Sequence, residues 1–145
     1  MNTTFVAKVE AIVGPTLSRL GFVLDDSYTG FDEGGRELSI AYFRNAECKL
    51  QIYQWAREGE TNCMIGLLDA PNEFGLLSKT KRWQFLTRFV RRPDLPLDEL
   101  AEQARLELES FADPLEWVND RIQRYYEVAL AGMKAKYGNA SDESA

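Results

Sequence analysis

Three times between residues 36 and 68 the chain runs through the same short pattern. RELSIAYF, CKLQIYQW and TNCMIGLL each alternate apolar and polar side chains with a period of two, and each is bounded by turn-forming residues. That period sends successive side chains to opposite faces of a strand. The links between the runs, NAE and REGE, are too short for a helical crossover and require antiparallel hairpins. A weaker run, FVLDDSYTGF, precedes them across the turn DEGG. The spacing therefore predicts a four-stranded antiparallel meander.

The apolar faces set an expected register. Leu38, Ile40 and Tyr42 share one face of their strand, as do Cys48, Leu50 and Ile52, and then Cys63, Ile65 and Leu67. Tyr53 and Trp55 occupy the other face of the third run, with Met64 across from Tyr53. A two-residue turn at Glu58-Gly59 pairs Ile52 with Ile65 and Leu50 with Leu67, and a three-residue loop at 45–47 pairs Tyr42 with Leu50 and Ile40 with Ile52. Cys63 then falls opposite Gln54, roughly 20 Å along from Cys48 at ~3.4 Å per residue, which excludes a disulfide. Both cysteines read as buried thiols of a reducing cytoplasm.

Helical periodicity flanks these strands. TTFVAKVEAIVGPTLSRLG repeats Phe5, Val9, Ile12, Val13, Leu17 and Leu20 at helical spacing, with Thr3 or Thr4 as cap, a kink at Gly14-Pro15 and Gly21 as terminator. Three helices are expected after residue 76. SKTKRWQFLTRFVRR carries a stripe of Trp83, Leu86, Phe89 and Val90. LDELAEQARLELESFA turns Leu97, Leu100, Ala101, Ala104, Leu108 and Phe111 inward. The last helix opens at Asp113-Pro114, buries Leu115, Val118, Ile122, Tyr125, Ala129 and Met133, and ends at Gly138. Strands grouped apart from helices indicate an α+β fold: an N-terminal helix, a four-stranded antiparallel sheet, and three C-terminal helices packed on it. A chain of 145 residues suits one domain, taken as residues 1–138, with NASDESA (139–145) as a disordered polar tail. No apolar run approaches the ~18 residues of a membrane span.

Charge and composition narrow the chemistry. A net charge of −6 disfavours nucleic acid and suits a basic protein partner. The chain has no histidine, and so lacks the commonest general base and metal ligand. Two cysteines cannot make a four-ligand zinc site. No metal or other cofactor is expected.

Three groups of residues are candidate sites. The segment LDAPNEFG (68–75) offers Asp69, Asn72 and Glu73, as a structural corner, as a partner-contacting loop, or as a carboxylate pair for an enzyme that also uses Tyr53 or Arg57. Lys79, Lys81, Arg82, Arg88, Arg91 and Arg92 form a basic stretch with interleaved aromatics, the footprint of a phosphate or RNA binder. Residues 94–116 follow with eight acids and one arginine and can neutralise it internally. Leu106, Trp117 and Val128 lie off the core stripes of their helices, Trp117 and Val128 beside Arg121 and Arg124. Together with Tyr53 and Trp55 these residues are either a second packed layer or an interaction surface. The expected docking surface joins Trp117, Arg121 and Arg124 to Tyr53 and Trp55, and a homodimer is its simplest form. In element order and charge alone the chain resembles small bacterial immunity and chaperone proteins. The balance of features favours a non-enzymatic, acidic protein-binding domain of that kind.

Overall fold

The structure is a computed structural model that describes residues 4–57, 59–91 and 93–138. The order of elements is α1 (Phe5–Ile12), α2 (Gly14–Arg19), β1 (Val23–Phe31), β2 (Glu37–Arg44), β3 (Cys48–Trp55), β4 (Glu60–Leu67), β5 (Gln84–Phe85), α3 (Leu97–Glu109) and α4 (Pro114–Met133). The fold is α+β, with an antiparallel sheet in the order β1-β2-β3-β4-β5 and helices following the strands. Among the described residues no helix is long and apolar enough to cross a membrane. The 139–145 tail lies outside the described residues.

The N-terminal helix is two short ones. Thr4 caps α1 by accepting a hydrogen bond from the Ala7 N–H (3.1 Å). At Gly14-Pro15 the expected kink becomes a break, because proline has no N–H to continue the ladder and serves instead as an early residue of α2. Gly21 closes α2 at φ +82°, a left-handed conformation that favours glycine.

The four expected strands form a meander, but β5 adds a fifth strand to the sheet and both expected registers shift. Between β3 and β4, Ile52 pairs with Cys63 and Leu50 with Ile65, a slip of two residues that keeps every side chain on its face. The turn there spans more than the Glu58-Gly59 pair, and Glu58 lies outside the described residues. Between β2 and β3 the slip is one residue: Ala41 pairs with Ile52 and Phe43 with Leu50. Asn45 causes it. Its side-chain oxygen accepts from the N–H groups of Glu47 (2.9 Å) and Cys48 (3.0 Å), and its own N–H donates to the Cys48 carbonyl (3.0 Å), which tightens the loop to Ala46-Glu47. A one-residue slip reverses a strand, so Leu38, Ile40 and Tyr42 join Tyr53 and Trp55, while Ala41 and Phe43 join Leu50 and Ile52.

The sheet is consequently apolar on both sides. One face (Phe43, Leu50, Ile52, Cys63, Ile65) meets Val9, Val13 and Leu17 of the N-terminal helices and Leu115, Trp117, Val118, Ile122, Tyr126, Ala129 and Met133 of α4. The other face (Leu38, Ile40, Tyr42, Tyr53, Trp55, Met64) meets Ala70, Phe74, Leu76, Trp83 and Phe85 of the segment after β4. Cys48 and Cys63 are free and buried, on different strands and out of register.

The helix expected over SKTKRWQFLTRFVRR does not form, leaving two long helices after the sheet. The segment runs extended through β5, which pairs with β4 (Met64↔Phe85, Ile65↔Gln84). Trp83 enters the loop-side core and Leu86 the helix-side core, a division one helical stripe cannot make. Burial of two large side chains in two layers outweighs a helix propensity of a few tenths of a kcal/mol per residue. Phe89 lies against Gly132 of α4 in the space a Cβ would take. On α3 the expected inward stripe is loosely seated: Leu97 and Leu108 are exposed, and no residue of the helix is buried.

Candidate functional site

The Asp69–Glu73 segment is a corner that closes the second core. β3 presents Lys49, Gln51, Tyr53 and Trp55 on one face, and the two polar members are buried. Lys49 Nζ donates to the Ala70 carbonyl (2.9 Å) and to Asn72 Oδ1 (3.1 Å). Gln51 Nε2 donates to the Glu73 carbonyl (2.9 Å), and its Oε1 accepts from the Gly75 N–H (3.0 Å). Trp83 Nε1 donates to the Pro71 carbonyl (2.8 Å). These bonds satisfy a loop backbone that crosses an apolar face, where unpaired carbonyls would be costly. Gly66 and Gly75 let the loop approach: a Cβ on Gly66 would lie 2.9 Å from Ala70 Cβ, and one on Gly75 would lie 2.6 Å from Met64 Sδ.

The two acids of this loop are spent on the loop itself. Asp69 takes a two-pronged bond from Arg82 Nη2 (2.6 Å to each oxygen). Glu73 accepts from the hydroxyls of Ser78 and Thr80. Asn72 Nδ2 reaches Asp25 Oδ2 of β1 (2.9 Å). Among the described residues no three His, Cys, Asp or Glu side chains come together as metal ligands.

The expected docking surface is not one surface. Tyr53 and Trp55 are buried beneath Phe74, with ring centroids 5.0 Å and 5.1 Å from it, in the loop-side core. The Tyr53 hydroxyl donates to Glu60, and Trp55 Nε1 donates to Asp32 Oδ2 (2.7 Å). The Arg36 backbone N–H and then this indole hold the Asp32 carboxyl below its ordinary range. Trp117 lies on the opposite side of the sheet, 8% exposed in the helix-side core. α4 contacts the sheet on one flank and α1 and α2 on another, so its buried stripe is wider than periodicity implies and takes in Trp117 and Tyr126 while Tyr125 stays half-buried. The indole N–H of Trp117 has no acceptor among the described residues. Arg121 stacks on it (4.3 Å) and lies 5.6 Å from Tyr125. Arg124 sits 4.9 Å from Tyr125 and pairs with Glu107 of α3 (2.6 Å) and Asp120 (3.4 Å). Both arginines cover the aromatics, and Arg124 also tethers α3.

The basic residues are likewise dispersed. Arg82 is held by Asp69 and lies 4.8 Å from the Tyr137 ring; Arg88 lies over Phe89 (5.5 Å). Lys81 adopts φ 56°, and its carbonyl accepts from the Tyr137 hydroxyl (2.7 Å). Lys79 and Arg91 are exposed or half-exposed along the same irregular segment, and Arg92 lies outside the described residues. With no helix here, the five described cations are not gathered on one helix face.

A different element is left open. All nine residues of β1 escape burial, and Val23, Leu24, Tyr28 and Phe31 supply four of the ten large apolar side chains exposed among the described residues. β1 pairs only with β2, while the far edge of the sheet is the two-residue β5. A bulge at Leu24/Asp26 interrupts β1. An open groove of ≈ 770 Å³ adjoins its end, lined by Phe5, Lys8, Thr29, Phe31, Ser39 and Gln54. The sequence reading singled out none of the four apolar residues on β1, nor Lys49 and Gln51. The face that Lys49 and Gln51 share with Tyr53 and Trp55 was the available signal.

No protein-family model, curated protein or solved structure matches this chain.

Proposed function

We propose that the chain is a non-enzymatic, acidic protein-binding domain of the cytoplasm that neutralises or escorts a basic partner, and that it binds through β1 and the turn that follows. The supporting observation is the concentration on one edge strand of Val23, Leu24, Tyr28 and Phe31, all more than 40% exposed, with Asp25 and Asp26 between them. Interaction surfaces set exposed apolar and aromatic groups within a charged rim, and monomer surfaces seldom leave such groups contiguous without use. Two buried free thiols fit a reducing compartment. The carboxylate-enzyme reading loses its pair, since Asp69 and Glu73 are both engaged in holding their own loop.

Affinity capture from lysate, run in parallel with wild type and with the double variant Tyr28→Ser/Phe31→Ser, tests the proposal. The expected result is one stoichiometric protein partner that the double variant loses while retaining its circular dichroism. No partner on wild type, or an undiminished partner on the variant, sinks it.

A further inference from the structure

Resting on that reading, we propose that β1 recognises its partner by strand addition, pairing its open edge with an extended basic segment. The register shows which backbone groups are available. The Asp32 N–H donates to the Arg36 carbonyl (2.8 Å), and in an antiparallel ladder bonded and non-bonded pairs alternate. Gly30, Tyr28 and Asp26 therefore point their peptide groups at β2, and Phe31, Thr29 and Ser27 point theirs outward. The Ala56 N–H donates to the Glu37 carbonyl (2.9 Å), which turns Glu37 toward β3 and confirms Phe31, its partner, as outward-facing. Beyond Ser27 the bulge ends the regular edge.

Two of these outward groups are capped by the strand's own side chains. The Ser27 N–H donates to Asp26 Oδ1 (2.8 Å), and the Phe31 carbonyl accepts from the Tyr28 hydroxyl (2.9 Å). Both caps are exposed, and an incoming strand replaces each with an equivalent peptide bond. Thr29 stands between them, its N–H and carbonyl both directed outward and unpaired by any described strand. Displacing Asp26 from Ser27 also releases a carboxylate beside the incoming chain.

Charge selects the occupant. Residues 23–37 carry Asp25, Asp26, Asp32, Glu33 and Glu37 against the lone Arg36, a net −4 on a chain of −6. A second copy would bring an identical acidic edge alongside this one, and like charges facing each other oppose pairing. A strand with alternating Lys or Arg is attracted by the same field; with its cations on the face of Asp26, its intervening apolar side chains fall on the other face and meet the exposed ring of Phe31.

The test uses a capped nine-residue peptide alternating lysine with valine, titrated into the full chain by calorimetry and by amide-resolved NMR. Expected are saturable binding, new protection from hydrogen exchange at Ser27, Thr29 and Phe31, and an affinity roughly ten-fold lower in Thr29→Pro, which removes an outward N–H and spares the β1–β2 bonds. A glutamate-for-lysine peptide, and one N-methylated at alternate amides, should each bind at least about ten-fold more weakly. Tyr28→Phe, which frees the Phe31 carbonyl, should bind no more weakly than wild type. No saturable binding, or equal affinity in a folded Thr29→Pro, overturns strand addition. A wild-type dimer that Thr29→Pro dissociates shows that the edge takes a second copy instead of a basic strand. If Tyr28→Ser/Phe31→Ser loses the captured partner while Thr29→Pro keeps it, the docking surface stands and strand addition falls; if neither matters, both fall.

Discussion

On one side of the sheet, Leu50, Ile52, Cys63 and Ile65 meet α1, α2 and α4; on the other, Tyr53, Trp55 and Met64 meet a single loop. The helices satisfy their own backbones, so their contact with the sheet is almost wholly apolar, while a side-chain bond from Thr16 of α2 to Asn119 of α4 (2.6 Å) joins helix to helix. The loop has no such internal ladder. Its carbonyls at Ala70, Pro71 and Glu73 receive bonds from Lys49, Trp83 and Gln51, and the fit is keyed to two glycines. A cover without regular secondary structure thus needs directional partners planted in the surface it covers, whereas a helical cover needs chiefly area.

That contrast orders the expected effects of perturbation. The largest belongs to the helix side. Ile52→Ala and Ile65→Ala, each at a fully buried position, should cost about 2–5 kcal/mol in denaturant melts, since neither site can collapse around the void. Losses under about 0.5 kcal/mol in both would remove the helix-side core from the account.

Alkaline pH discriminates next. Burial is the main cause that raises the Cys48 thiol from its ordinary 9.0 to about 11, and burial pushes Cys63 upward as well. The folded state then holds these protons more tightly than the unfolded chain. Stability is full below pH 9 and falls as pH rises between 9 and 11, by roughly 3 kcal/mol for Cys48 in total. On the loop side the buried groups are the phenols Tyr42 and Tyr53, raised mainly by burial from 10.0, so their contribution is lost at higher pH. Cys48→Ala should make the pH 9–11 slope shallower in thermal melts, with Cys63 sustaining the remainder. An unchanged slope would relocate the titration elsewhere.

The loop side should show a smaller, more local loss. Gln51→Leu strips the Glu73 carbonyl and the Gly75 N–H of their partner and should cost about 1–3 kcal/mol. It should also speed hydrogen exchange of the Trp83 indole while the α4 amides stay protected. Uniform acceleration throughout the chain would mean that the two covers unfold as one.

The smallest effect is expected on α3. Leu106 is 53% exposed on a helix with no buried residue, and Leu106→Ala should change stability by less than about 0.5 kcal/mol. A loss above about 2 kcal/mol would show that α3 is seated more deeply than its exposure indicates.

By itself the sequence determined the α+β class, the antiparallel meander, α3, the helix that begins at Asp113-Pro114 and a disturbance at Gly14-Pro15, though as a kink and not the break that separates α1 from α2, because each follows from periodicity or from the backbone chemistry of a few residues. Tertiary structure alone decided which face of β2 meets the helices. One Asn45 turn moved that strand by a single position, and a period of two makes a single position a reversal. It likewise unwound the expected helix at Trp83 and Leu86, whose burial in separate layers no local pattern encodes. It made Tyr53, Trp55 and Trp117 core where off-stripe position left a second packed layer and an interaction surface both open, because a sheet covered on both sides has no spare face. And it left β1 open: the run that looked weakest as a strand proved to be an uncovered edge, where acids between apolar residues meet water instead of a core.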